Sequence, residues 1–178
     1  MTQPAFVERS RYYLAYEYPT KIGLAISLLD ETHIWKRANA DSNSIGNLML
    51  HLAGNVRQWI VSGVGGESSD RDRAGEFAAT GGYTKKELTA LLTSSVTDAD
   101  KALSRLAAVD LDRSVTIQGR DTTVFAAVYH VVEHFSMHTG QIIMLAKMYG
   151  AQTIQFYENA GGIAIPVWGG TERMSEKR

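Results

Sequence analysis

Apolar residues recur along this chain at helical spacing in four long stretches. The first runs from about Phe6 to Leu29 and carries Tyr12, Leu14, Ile22, Leu24, Ile26, Leu28 and Leu29. Pro19 interrupts it, and because proline lacks a backbone donor and crowds the preceding turn, a kink or break is expected near Tyr18. The turn-forming segment ADSNS (40–44) follows. Asn43 or Ser44 can cap a second helix, IGNLMLHLAGNVRQWIVSG, that stops at the glycines of GVGG. A polar loop (67–83) leads to Thr84 and Glu87, a T-x-x-E capping box opening a third helix. Leu88, Leu91, Leu92, Val96, Ala99, Leu103 and Leu106 form its apolar face. SVTIQGRDTTV (114–124) alternates around Gly119 and Arg120, which predicts a short hairpin or turn. A fourth helix is expected from Asp121–Thr123 to Tyr149, ended by Gly150. Residues 151–178 read as an irregular tail with one apolar patch, IAIPVW.

This pattern predicts an all-α fold, a four-helix bundle with long connecting loops and an irregular C-terminal tail. The chain of 178 residues is expected to be a single domain, with the bundle core at about 5–157 and the tail at about 158–178. Connections of this length tend to be functional, and they leave room for a crossover.

Two of the helices carry an embedded polar stripe. Asn47, His51, Asn55 and Gln58 follow one face of the second, and His130, His134, His138 and Gln141 follow one face of the fourth. Buried polar groups are costly unless paired, so the two stripes are best explained if they face each other. Histidines four apart can share an ion, whereas positions eight apart are separated by about 12 Å along the axis. Either 130 with 134 or 134 with 138 therefore forms the pair, and His51 is the strong candidate for a third ligand. Three histidines leave one or more positions open for water or substrate, as in a catalytic site. The competing explanation is a polar seam that only satisfies hydrogen bonds; two matched stripes weigh against it. HVVEH also spells the inverted zincin motif, with His130 and His134 as ligands and Glu133 as base. That motif needs a carboxylate ligand well downstream, where only the tail glutamates lie, and leaves His138 and His51 without a role.

Composition narrows the classes further. A net charge of −1 with scattered lysines and arginines gives no electrostatic reason to expect nucleic acid or an anionic membrane as partner. With no cysteine, metal ligands are confined to nitrogen and oxygen, and the protein has no thiol nucleophile of its own. The N-terminal residues lack a signal-peptide apolar run and no window approaches a membrane span, so a cytoplasmic protein acting on a small molecule is expected.

Three blocks, NSIGNLMLHLAGNVRQWIVSGVGG, RDRAGEF and YHVVEHFSMHTGQIIMLAKM, together resemble the DinB/YfiT-like superfamily of metal-binding helical bundles, over roughly residues 5–157. The resemblance implies one divalent ion held by His51, His134 and His138, with His130 as a supporting pocket residue. Asn47, Asn55, Gln58 and Gln141 are then either supports of the ligand rings or buried amides that fix helix register. Zinc, nickel or iron would suit three histidines and water. Relatives include thiol-dependent S-transferases and isomerases in which the metal activates a low-molecular-weight thiol such as bacillithiol or mycothiol. The resemblance thus implies a metal-dependent transferase whose thiol arrives as co-substrate. A metallohydrolase using metal-bound water, or a non-catalytic stress-associated metal-binding bundle, are the alternatives. Family members often form homodimers, which would cover IAIPVW; packing over the bundle would do the same. Arg71, Arg73 and Glu76 in RDRAGEF read as a solvated loop with local ion pairs rather than an anion-binding lip. His33 reads as a surface or boundary residue. Trp35, Trp59 and Trp168 read as core or interface. Glu133 lies about 100° around the helix from His134, a poor position for a base.

Overall fold

The computed structural model describes residues 3–151 and 153–168. Most of them are helical. Helix α1 (Ala5–Tyr12), a π-helical segment (Tyr13–Glu17) and α2 (Tyr18–Ser27) run on without leaving helical backbone angles. The break expected at Pro19 is absent. The carbonyl its ring would crowd belongs to Ala15, which lies in the π segment, and the wider i→i+5 turn accommodates the missing donor. A short helix α3 (Glu31–Ile34) precedes α4 (Ile45–Val56), which continues as a second π-helical segment (Arg57–Val64). Ser44 caps α4 reciprocally with Asn47, each side chain bonding the other's backbone N–H.

The connection at 67–83 is not all loop: α5 (Arg73–Ala78) forms within it, capped by Asp72. Helix α6 (Lys85–Ser104) opens at the Thr84–Glu87 capping box as expected. After a 3₁₀ turn (Ala108–Asp112), β1 (Ser114–Ile117) and β2 (Arg120–Thr123) pair antiparallel, Ser114 opposite Thr123 and Ile117 opposite Arg120. The turn places Gln118 at φ 54° and Gly119 at φ 72°. Two positive φ values in succession match the right-handed twist of a hairpin. Thr123 caps α7 (Val124–Met148), which therefore starts just after the strand.

The tail departs from expectation. Tyr157–Ala160 (β3) and Ile163–Pro166 (β4) form a second hairpin, and residues 169–178 lie outside the described set. Tyr16 donates to the Trp168 carbonyl at 2.8 Å, and the Lys21 ammonium sits 5.1 Å from the Trp168 ring, so this hairpin lies against the first helical rod. Its apolar residues Ile163, Ile165 and Val167 nevertheless stay exposed.

The core is built from the inward faces of the long helices, with Leu14, Ile22, Leu52, Ile60, Leu88, Leu103, Phe135 and Ile142 buried in it. Phe135 stacks on Tyr18 with centroids 5.6 Å apart, tying α7 to α2, while Arg11 forks onto Asp100 to tie α1 to α6. No described helix is long and apolar enough to cross a membrane. Phe135 follows His134 directly and has no solvent exposure, so it anchors the register of the histidine helix. Phe135→Ala should cost about 3–5 kcal/mol, read as a fall in the urea midpoint at unchanged slope.

Candidate metal centre

Helices α4 and α7 run antiparallel where they meet. His51 reaches His134, while eight residues further along the first strand of the seam Trp59 packs on His130, ring centroids 4.4 Å apart. The polar stripes therefore face each other. His51 Nε2 lies 3.0 Å from His134 Nε2, and His138 Nε2 lies 3.2 Å from the same atom. A ligand atom from each of the three rings falls within 4.8 Å of the others. Two nitrogens each about 2.0–2.1 Å from one ion, subtending about 90–109°, would stand about 2.9–3.4 Å apart.

Hydrogen positions sharpen the picture. His51 Nδ1 is 2.9 Å from Glu76 Oε2, and His138 Nδ1 is 2.6 Å from Gln141 Oε1. Gln141 Oε1 only accepts, so His138 carries its proton on Nδ1 and turns a bare Nε2 toward His134. His51 Nδ1 stands between an acceptor, Glu76, and a donor, Arg71 Nη2 at 3.0 Å, and so is compatible with either tautomer. In both tautomers one hydrogen on His134 Nε2 serves only one of its two nitrogen contacts, and the other is left without a hydrogen bond. A cation removes that conflict, and the donor set fits a borderline-soft divalent ion.

Glu76 and Arg71 are not in a solvated loop. Their side chains are 9% and 4% exposed, and Arg71 forks onto Glu76 at 2.6 and 2.7 Å. The RDRAGEF segment folds inward because Asn47 holds α5: its Nδ2 donates to the Glu76 and Ala79 carbonyls at 2.9 and 2.7 Å. Gly54 makes room, since a methyl there would collide with the Glu76 carboxylate. Arg73, in contrast, lies exposed over Phe77, whose ring packs on His51 at 4.6 Å.

The remaining candidates divide. Gln58 Oε1 accepts from Arg71 Nη1 at 2.9 Å and from Gln118 Nε2 at 2.5 Å, linking the first hairpin to the site. Gln141 orients His138. Asn55 is buried, its Oδ1 without a partner. His130 stays outside the convergent set, 5.4 Å from His134 between ring centroids. Glu133 lines an outer groove of about 400 Å³ with Tyr18, Tyr129, Val132, Ser136 and Met137. The inverted zincin arrangement is therefore not formed. Trp59, expected in a core or interface, packs half-buried against the core, with its ring on His130.

Burial pushes the Glu76 carboxyl up, but hydrogen bonds from Arg71 and His51 outweigh it and hold the group below the usual carboxylate range. Burial, reinforced by His138 and His51, lowers His134 to about 3. Burial also lowers His138 and His130. Neutral imidazoles are the form that binds a metal.

Residues 5–158 match the family model described as "Protein of unknown function (DUF1572)". The chain belongs to this family. Its fold is DinB-like. A DinB-like protein of Bacillus subtilis (YjoA) aligns with TM-score 0.63 at 19% identity, covering 85% of this chain and 98% of that one. A conserved protein of Enterococcus faecalis aligns at 0.70 and 13% identity, covering 84% and 98%. The mycothiol-dependent maleylpyruvate isomerase aligns at 0.58 and 19% identity, covering 82% of this chain and 70% of the isomerase. No curated protein matches the sequence.

Two outcomes follow for this DUF1572 chain. Gly54→Ala should expel Glu76 from His51 and weaken zinc binding about 10–100-fold, measured by competition with a chromophoric chelator. The second concerns pH in the metal-free protein. His134 has a folded value of about 3 against an ordinary 6.5, so its contribution is present above 6.5 and lost as pH falls toward 3. Glu76, also lowered, withdraws its contribution as pH falls below its ordinary 4.5. The urea midpoint should therefore decline steadily from pH 7 to pH 4; a flat profile down to pH 5 would contradict the histidine assignment.

Proposed function

We propose that this protein is a divalent-metal-dependent enzyme, a transferase in which His51, His134 and His138 hold zinc, nickel or iron and a low-molecular-weight thiol or water is the nucleophile. The observation that carries it is the meeting of three Nε2 atoms, 3.0 and 3.2 Å apart, in contacts that one hydrogen cannot serve together. A bound divalent ion lowers the pKa of a thiol or water and yields a nucleophile at neutral pH.

The chain's own residues supply the setting, on the scaffold of a four-helix bundle forming one domain. Glu76 and Arg71 fix the direction of the His51 ring; Gln141 fixes the tautomer and direction of His138. Such partners raise ligand basicity and limit ring motion. The Trp59 and His130 rings, inclined at 47° to each other, give an angled aromatic wall against which a small substrate can lie. The likeness in fold to a mycothiol-dependent isomerase supports a thiol as co-substrate. The absence of cysteine means that any thiol must come from outside the chain.

Self-association is a further part of the reading. Exposed Phe125, Tyr129, Met137, Met144 and Met148 on α7, with Ile163 and Ile165 on β4, supply apolar surface for a second copy. A cytoplasmic location and a small-molecule substrate agree with the charge balance.

Metal analysis of the wild type beside His51→Ala and His138→Ala tests the central claim. Each variant should retain less than about a tenth of the wild-type metal, since three-ligand sites lose most of their affinity with one ligand. Unchanged metal content would sink the proposal. Turnover of a thiol with a small electrophile, lost in the same variants, would separate the transferase from a metal store.

A further inference from the structure

We infer that Asn55 holds a hydrogen-bearing ligand, a solvent molecule in the resting protein, at the open side of the three histidine nitrogens. This rests on the metal reading above and bears on which of its two nucleophiles the site favours. Asn55 is only 5% exposed, yet its Oδ1 has no hydrogen-bond partner. It lies one helical turn beyond His51 on the same face. On the facing helix that level falls between His134, which meets His51, and His130, which meets Trp59. Asn55 thus belongs to the face of α4 that carries His51, at a level between the two pairings with α7.

A buried amide oxygen without a donor costs about 1–3 kcal/mol, so the group that relieves it must bring a hydrogen. Water does. A thiolate or another anion without hydrogen does not, and would set its charge against the negative end of the amide dipole. Asn47, on the same stripe, has its amide fully engaged with Ser44 and α5, whereas Asn55 has no such structural employment. Asn55 therefore weights the site toward a hydrogen-bearing oxygen ligand.

Cobalt-loaded protein provides the test, with azide as a hydrogen-free anionic probe and the visible spectrum as readout. Azide must displace the held solvent molecule and leave Asn55 unpaired in the wild type, a cost that Asn55→Leu removes. Azide should bind about tenfold more tightly to Asn55→Leu, the equivalent of one hydrogen bond. Binding that is equal to wild type, or weaker, overturns the inference. So does loss of cobalt from Asn55→Leu, which would make Asn55 a part of the metal-holding set; cobalt binding by Asn55→Ala at wild-type stoichiometry is the expected companion result. Failure of the wild type itself to bind cobalt would instead overturn the metal reading on which this one stands.

Discussion

The buried carboxylate of Glu76 organises this molecule's site. An ionised group that is 9% exposed is costly to desolvate, and it is held by a two-pronged Arg71 contact together with His51 Nδ1. The carboxylate and Arg71 Nη2 meet His51 Nδ1 at 2.9 and 3.0 Å and so set the direction of the ring. Nε2 is thereby aimed at a second histidine, which is the origin of the three-nitrogen cluster. The same carboxylate requires a glycine at position 54 and a docked α5. Local fold and site geometry are thus one arrangement: loosening α5 would release the imidazole it steers.

The long helices and the polar stripes were legible because helical spacing makes a face visible in one dimension. His51, Asn55 and Gln58 announce themselves against Leu48, Leu52 and Val56, and Thr84 with Glu87 announces a helix start. Spacing alone could not choose between 130/134 and 134/138, since both pairs are four apart. The choice depends on where α4 crosses α7, which is a tertiary fact: His51 meets the 134/138 level and Trp59 meets His130. Resemblance supplied what periodicity could not.

What stayed hidden depends on distant contacts. Six residues, Arg73–Ala78, are too few to display periodicity or to be stable as an isolated helix. They are helical because Asn47, some thirty positions earlier, bonds the carbonyls at Glu76 and Ala79. Arg71 and Glu76, five positions apart in a polar stretch, look like any surface ion pair until α5 is turned inward. The tail hairpin was missed for a related reason. Its strands are four residues each, and its contacts are to Tyr16 and Lys21 at the other end of the chain.

The π-helical segment Arg57–Val64 explains how Trp59, packed against the core, also meets His130. In a regular α-helix each residue advances about 100°, so a residue eight positions beyond His51 would sit about 80° off its face. A helix closed by i→i+5 bonds is underwound, and each residue in it advances by less. Entering that segment at Arg57 brings Trp59 back toward α7, where it meets His130, while Gln58 remains close enough to accept from Arg71. The change of winding falls between His51 and Trp59. One helix thus presents the His51 imidazole in its α portion and the Trp59 ring in its π portion, both toward the same partner helix. Regular α winding over the same eight residues would therefore turn Trp59 about 80° away from the His51 face without altering either side chain.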